Sequence, residues 1–95
     1  MVTYRTQVKI VADILSVAKN STERIEGVGI STILRKANIS YTRTVKLLNE
    51  LVGSGLLVEI PQIRGNRYQI SNQGIQFLQE YSRFEEFAED FGLRL

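Results

Sequence analysis

KANISYTRTVKLLNELVGSGLL, residues 36–57, reads as the end of one helix, a short turn, a second helix and a handover to an apolar run. Asn38-Ile39 makes the turn, and Ser40 stands where an N-cap belongs. Its hydroxyl can accept a hydrogen bond from an otherwise unpaired amide of the next helix, worth about 1 kcal/mol. Val45, Leu48 and Val52, with Leu47 and Leu51 beside them, form the apolar stripe of that helix. Gly53 or Gly55 can take the left-handed conformation that closes it. Thr42, Arg43, Lys46 and Asn49 lie on the opposite side, and Tyr41 sits on the border of the stripe. A helix delivered by so short a turn, with this exposed face, poses the question of what it is set out to touch.

Upstream, Tyr4, Val8, Val11, Leu15 and Ala18 alternate in steps of four and three, which predicts a first helix over about Thr3 to Lys19. Asn20-Ser21-Thr22 and Gly27-Val28-Gly29 break that pattern and read as a polar loop punctuated by glycine. A shorter helix follows from Ile30 to Ala37, expected to bury Ile30, Ile33 and Leu34 and to expose Thr32, Arg35 and Lys36. Downstream, Leu56–Ile60 and Arg67–Ile70 read as two strands joined by Pro61-Gln62-Ile63-Arg64-Gly65-Asn66. Gly65-Asn66 is turn chemistry, and Pro61 is tolerable where its missing N–H is not needed, which predicts an exposed edge hairpin. Ser71 can cap a last helix running to about Phe91.

Composition narrows the function classes. The chain has 95 residues, 43% of them hydrophobic, which suits one small domain with a modest core. It contains no Cys and no His, which removes disulfides, thiol nucleophiles, imidazole bases and the usual nitrogen and sulfur ligands of zinc. The carboxylates are scattered or lie on a solvated helix, and GVGIS (residues 27–31) lacks the Gly-Lys-Ser/Thr ending of a phosphate-binding loop. No enzymatic activity, cofactor or metal is expected. No apolar stretch approaches the roughly 18 residues of a membrane span, and a soluble protein of the cytoplasm is expected. The net charge of +2 is unevenly spread. Residues 1–70 carry ten basic against five acidic side chains, and residues 71–95 two basic against five acidic, balances of +5 and −3. Such a split suits a basic body that meets a polyanion and an acidic tail that avoids one.

Three helices followed by a hairpin is the element order of a winged helix-turn-helix, an α+β but mainly α fold, here with an added C-terminal helix. The sequence also resembles the small archaeal winged-helix DNA-binding family of chromatin-associated proteins and predicted transcriptional regulators. The residues that carry the resemblance are IVADIL (10–15), LRKANISY (34–41), LNELVGSGLL (48–57), Arg67-Tyr68 and SNQGIQFLQEY (71–81). Members of that family are similar in pairing through the C-terminal helix as antiparallel dimers, so the resemblance implies a homodimer. The acidic tail departs from a strongly basic chromatin coat and favours a regulator. Residues 1–71 are expected to form the DNA-binding unit and residues 72–95 the dimerisation helix.

The expected contacts follow from residue chemistry. Arg43 can pair with guanine and Asn49 with adenine, while Thr42 and Lys46 reach phosphates and Tyr41 serves either the core or a phosphate. Arg64 and Arg67, flanking Gly65-Asn66 at the wing tip, fit a minor-groove or phosphate contact. Arg35 and Lys36 reach the backbone or complement the dipole of their helix. In the last helix Phe77, Tyr81, Phe84, Ala88 and Phe91 recur at steps of four and three, with Phe87 alongside. Phe84, Phe87 and Phe91 lie beyond the reach of so small a body, and a partner helix is the simplest cover. The partners expected are therefore double-stranded DNA, probed as a nucleoid-associated regulator, and a second copy of the chain. Two other readings remain open at this point: an architectural protein without sequence preference, and a winged helix that docks on protein.

Overall fold

A computed structural model of the chain describes residues 6–20 and 27–93. The elements are α1 (Gln7–Asn20), β1 (Val28–Gly29), α2 (Ile30–Ala37), α3 (Tyr41–Gly53), β2 (Leu57–Ile60), β3 (Arg67–Ile70) and α4 (Asn72–Asp90). The fold is α+β and mainly helical, a winged helix-turn-helix with an additional C-terminal helix. The expected first turn at Thr3 and Tyr4, and the loop residues Ser21 and Thr22, lie outside the described residues.

Helix α1 is the hub. The Thr6 hydroxyl accepts from the Lys9 amide at 3.1 Å, so the helix starts at Gln7. Its buried residues are Ile10, Ala12, Ile14, Leu15, Val17 and Ala18. Of the expected stripe, Leu15 and Ala18 are buried, Val11 is half-buried and Val8 is 51% exposed. The reason is that α2, α4 and β3 all pack on α1. A helix covered from several sides buries a broad surface rather than one stripe.

Helix α2 buries Ile33 and Ala37, with Ile30, Leu34 and Thr32 half-buried. Asn38 then takes the left-handed conformation at φ 56° while its amide donates to the Leu34 carbonyl at 3.0 Å. This closes α2 and turns the chain within three residues into α3. There Ser40 Oγ accepts from the Arg43 amide at 3.3 Å, the expected cap. The core face of α3 is Thr44, Leu47, Leu48 and Leu51, with Val45 and Val52 half-buried, a rotation of roughly one residue from the expected stripe. Thr44 makes this possible. Its hydroxyl donates to the Ser40 carbonyl at 2.7 Å, so the polar atom is satisfied inside the helix and the side chain can be wholly buried.

Gly55, not Gly53, provides the left-handed close of α3, at φ +84°. The Gly55 amide donates to Val52 O at 3.1 Å and the Leu56 amide to Leu51 O at 3.0 Å, the paired bonds of a Schellman end. The chain enters β2 directly. The sheet has three antiparallel strands in the order β1-β3-β2, with Leu57 opposite Ile70, Glu59 opposite Tyr68, and Val28 and Gly29 opposite Tyr68 and Arg67. Strand β1 corrects the reading of Gly27-Val28-Gly29 as a loop. A single valine between two glycines carries no strand pattern, yet Gly27 (φ +77°) is what lets β1 approach, since a Cβ there would overlap the Tyr68 carbonyl.

Ser71 caps α4, accepting from the Gly74 amide at 3.0 Å. Gly74 is buried beneath Leu56 and Ile70, where any Cβ would overlap the Leu56 carbonyl oxygen. The expected boundary between residues 71 and 72 thus falls at a cap, but packing crosses it. Ile75, Phe77 and Leu78 lie against the common core.

Candidate nucleic-acid interface

Residues 30–53 form the helix-turn-helix pair, and the three residues between α2 and α3 leave the N-terminal part of α3 projecting. Tyr41, Thr42, Arg43, Lys46 and Asn49 are all exposed. Thr42, Lys46 and Asn49 lie directly opposite the core face, whereas Arg43 stands on one flank. Asn49 is seven residues beyond Thr42, about 10 Å farther along the axis. It therefore belongs to the middle of the helix, not to its leading turn. Tyr41 is 63% exposed, which places it at the surface rather than in the core.

Arg35 and Lys36 are exposed in the last turn of α2, where their charge complements the helix dipole. Among the described residues no ion pair or hydrogen bond engages the side chains of Arg35, Lys36, Arg43, Lys46 or Arg64. By contrast Lys9 pairs with Asp13 at 3.4 Å. Five unneutralised cations thus lie on α2, α3 and the hairpin.

The hairpin separates the two arginines that the sequence groups together. The tip is a hydrogen-bonded turn over Gln62–Gly65, the Gly65 amide donating to Gln62 O at 3.3 Å. It lies upstream of the expected Gly65-Asn66 turn, and Ile63 and Arg64 take its two corners. Arg64 and Asn66 are exposed. Arg67 is instead at the base, half-buried, with Nε and Nη2 donating to the Gly27 carbonyl at 3.2 and 2.8 Å. Its guanidinium ties β3 to the segment entering β1. Nothing in the local sequence signals that role, because the acceptor lies forty residues away.

Tyr68, buried in the same strand, faces Glu59 across the β2–β3 pair. Burial pushes its hydroxyl pKa above the usual 10.0, and the Glu59 carboxylate and the Tyr41 hydroxyl push it further.

The expected aromatic seam of α4 is buried only in part. Phe77 and Tyr81 are half-buried and Ala88 is buried against the chain's own body. Phe84, Phe87 and Phe91 are 57%, 61% and 68% exposed, and the rings of Phe87 and Phe91 meet at 5.1 Å. The Tyr81 hydroxyl is buried without a hydrogen-bond partner, the Glu85 carboxylate lying near it outside bonding geometry. Burial foremost, then Glu85 and Asp13 against the opposing effect of Lys9, raise its pKa. No cluster of His, Cys, Asp or Glu among the described residues is arranged to hold a metal ion, and no helix among them is long and apolar enough to cross a membrane.

This arrangement of α1–α3, hairpin and unneutralised cations belongs to a known class: the chain is a member of the winged helix-turn-helix family, whose sequence profile matches residues 4–89. Among solved structures it is similar to the crystal structure of Sso10a-2, a DNA-binding protein from Sulfolobus solfataricus. The TM-score is 0.79 at 24% identity, over 92% of this chain and 85% of that one. That likeness is one of fold. No curated protein matches the chain.

Proposed function

We propose that this protein binds duplex DNA as a homodimer and acts as a transcriptional regulator in the cytoplasm. The N-terminal half of α3 enters the major groove and the hairpin rests on the flanking backbone. The observation that carries the reading is the exposed run Thr42, Arg43 and Lys46 at the projecting end of α3, its cations unneutralised by the protein. Family membership and the DNA-binding role of the structurally similar Sulfolobus protein support it. Arg43 is the base reader, Thr42 and Lys46 hold phosphates, and Arg35, Lys36, Arg64 and Asn66 extend the backbone contact. Asn49, farther back, reaches a base only if the helix lies along the groove rather than end-on.

The dimer reading rests on the exposed Phe84, Phe87 and Phe91, a stripe that a second α4 would cover. Two-fold pairing presents two copies of α3, so operators are paired half-sites about one helical turn apart or a multiple of it. A mobility-shift titration on mixed-sequence duplex tests the DNA claim: absence of binding at about 50 mM salt, where phosphate contacts are strongest, refutes it. Selection from a random duplex pool then separates a regulator, which enriches a motif, from an architectural protein, which enriches none.

A further inference from the structure

The most exposed large apolar side chain among the described residues is Ile63, at 105% of its reference area. It touches nothing. Its position is specific: the Gln62–Gly65 turn puts Ile63 and Arg64 at the two corner positions, from which side chains point away from the hairpin. Turn corners are ordinarily Gly, Pro, Asn, Asp or Ser, each for a local backbone reason, and a β-branched aliphatic supplies none of them. A solubilising tip would carry polar groups only. Here a stiff aliphatic stands beside a cation, at the end of a rigid hairpin that Arg67 braces at its base. Arg64 is the one charged residue of the tip segment 61–66, and Glu59, the acid nearest to it along the hairpin, lies back in β2 opposite Tyr68.

We infer that Ile63 is a wedge: when the wing docks, Arg64 holds the backbone beside the minor groove and the Ile63 side chain inserts between two base pairs, partly unstacking and kinking the duplex. Aliphatic side chains presented with basic neighbours do this in minor-groove binders, and the step unwinds and bends the DNA. The inference rests on the DNA-binding reading and adds a deformation which that reading does not require. Its sequence consequence is a preference for a flexible pyrimidine–purine step under the wing, a position that α3 never contacts.

The test is a linking-number measurement. A nicked plasmid is saturated with protein, ligated, freed of protein and resolved by topoisomer, with a mobility shift on the same plasmid run in parallel. Wild-type protein lowers the linking number. Ile63→Ser, which removes no charge, binds with an unchanged salt slope but leaves the topoisomer distribution as it is without protein. Ile63→Leu restores the change. Because Ile63 makes no contact, the melting temperatures of both variants match wild type. A wild-type protein that binds but leaves the linking number unaltered overturns the wedge and spares the DNA reading. So does an Ile63→Ser variant that shifts topoisomers as far as wild type. If wild type binds no plasmid in the parallel shift, both readings fall.

Discussion

Arg67 and Arg64, three residues apart on one hairpin, should respond to alanine substitution in opposite ways. The Arg67 guanidinium gives two hydrogen bonds to one carbonyl, Gly27 O, at 3.2 and 2.8 Å. Bonds from a charged donor contribute about 1.5–3 kcal/mol, and these two share an acceptor in a half-buried site, so the pair together is worth roughly that range. Arg67→Ala also strips the partner from Gly27 O. For a domain of this size each kcal/mol moves the melting temperature by about 4–8 °C, and a drop of roughly 6–24 °C is expected. Arg67→Lys keeps the charge but cannot reproduce the paired donors, and should melt almost as low. Arg64 has no partner to lose. Arg64→Ala should melt with wild type and reduce the slope of log affinity against log salt by about 0.9, one phosphate contact fewer. Circular-dichroism melts and a salt titration of DNA binding, run well below the melting transition, measure both. The assignment of Arg67 as a brace fails if Arg67→Ala melts with wild type and flattens the salt slope as Arg64→Ala does.

Arg43→Ala should weaken specific binding by about 1–3 kcal/mol and relax preference at one base position; a selection that returns the wild-type motif at full strength removes Arg43 as reader. Phe84→Glu combined with Phe91→Glu should give a folded monomer that holds a single half-site weakly. Since both rings are more than half exposed in the isolated chain, its melting should stay close to that of the wild-type monomer. Sedimentation showing wild type itself monomeric at tens of micromolar would end the dimer claim and the paired-site expectation with it. The raised hydroxyl pKa values of Tyr68 and Tyr81 mean that the folded state holds these protons more tightly than the unfolded chain. Their contribution is therefore complete below the unfolded value of about 10 and is lost as pH rises through the raised folded values. Wild type should lose melting temperature above about pH 10 more steeply than a Tyr68→Phe, Tyr81→Phe double variant, and parallel curves would contradict the sign.

What the sequence reveals here depends on how local each determinant is. Ser40, Asn38 and Ser71 act within four residues of themselves, and the ends of α2, α3 and α4 follow from their chemistry. The Gly55 close of α3 is almost as local, though choosing it over Gly53 requires knowing which carbonyls the next amides reach. Burial is harder. Thr44 counts as polar in any hydropathy pattern, yet a bond to its own helix hides the hydroxyl and turns the core face of α3 by one residue. Strand β1 has no local signature because its partners, Tyr68 and Arg67, lie about forty residues downstream. The same distance conceals the bond from Arg67 to Gly27, so the two wing arginines look equivalent until the backbone is seen. The unneutralised state of Arg43, Lys46 and Arg64 is likewise a property of the folded surface. Sequence names the cations; only packing shows which of them the protein uses itself.

The joint between the proposed reader and the proposed dimer seam is made of few residues and has no linker. From Gly53, the last residue of α3, the chain reaches β2 across Ser54, Gly55 and Leu56, and β3 reaches α4 across Ser71 alone. These two short passages are tied to each other. The Ser71 amide donates to Leu56 O at 3.2 Å and the Ser71 hydroxyl to Gly55 O, while the same hydroxyl oxygen caps α4 through the Gly74 amide. Gly74 then brings the first turn of α4 against the Leu56 carbonyl, closer than any side chain permits. The left-handed end of α3 and the capped start of α4 thus share one hydrogen-bonded knot, and the direction of α4 is fixed relative to α3 by backbone groups rather than by side-chain packing alone. In a two-fold dimer through the Phe84–Phe91 face, the separation of the two α3 helices is then a rigid consequence of this knot and of the α4 contact. Under the proposed dimer, half-site spacing in an operator would accordingly be a property of the fold, set at Gly55, Ser71 and Gly74, and not of the residues proposed to read the bases.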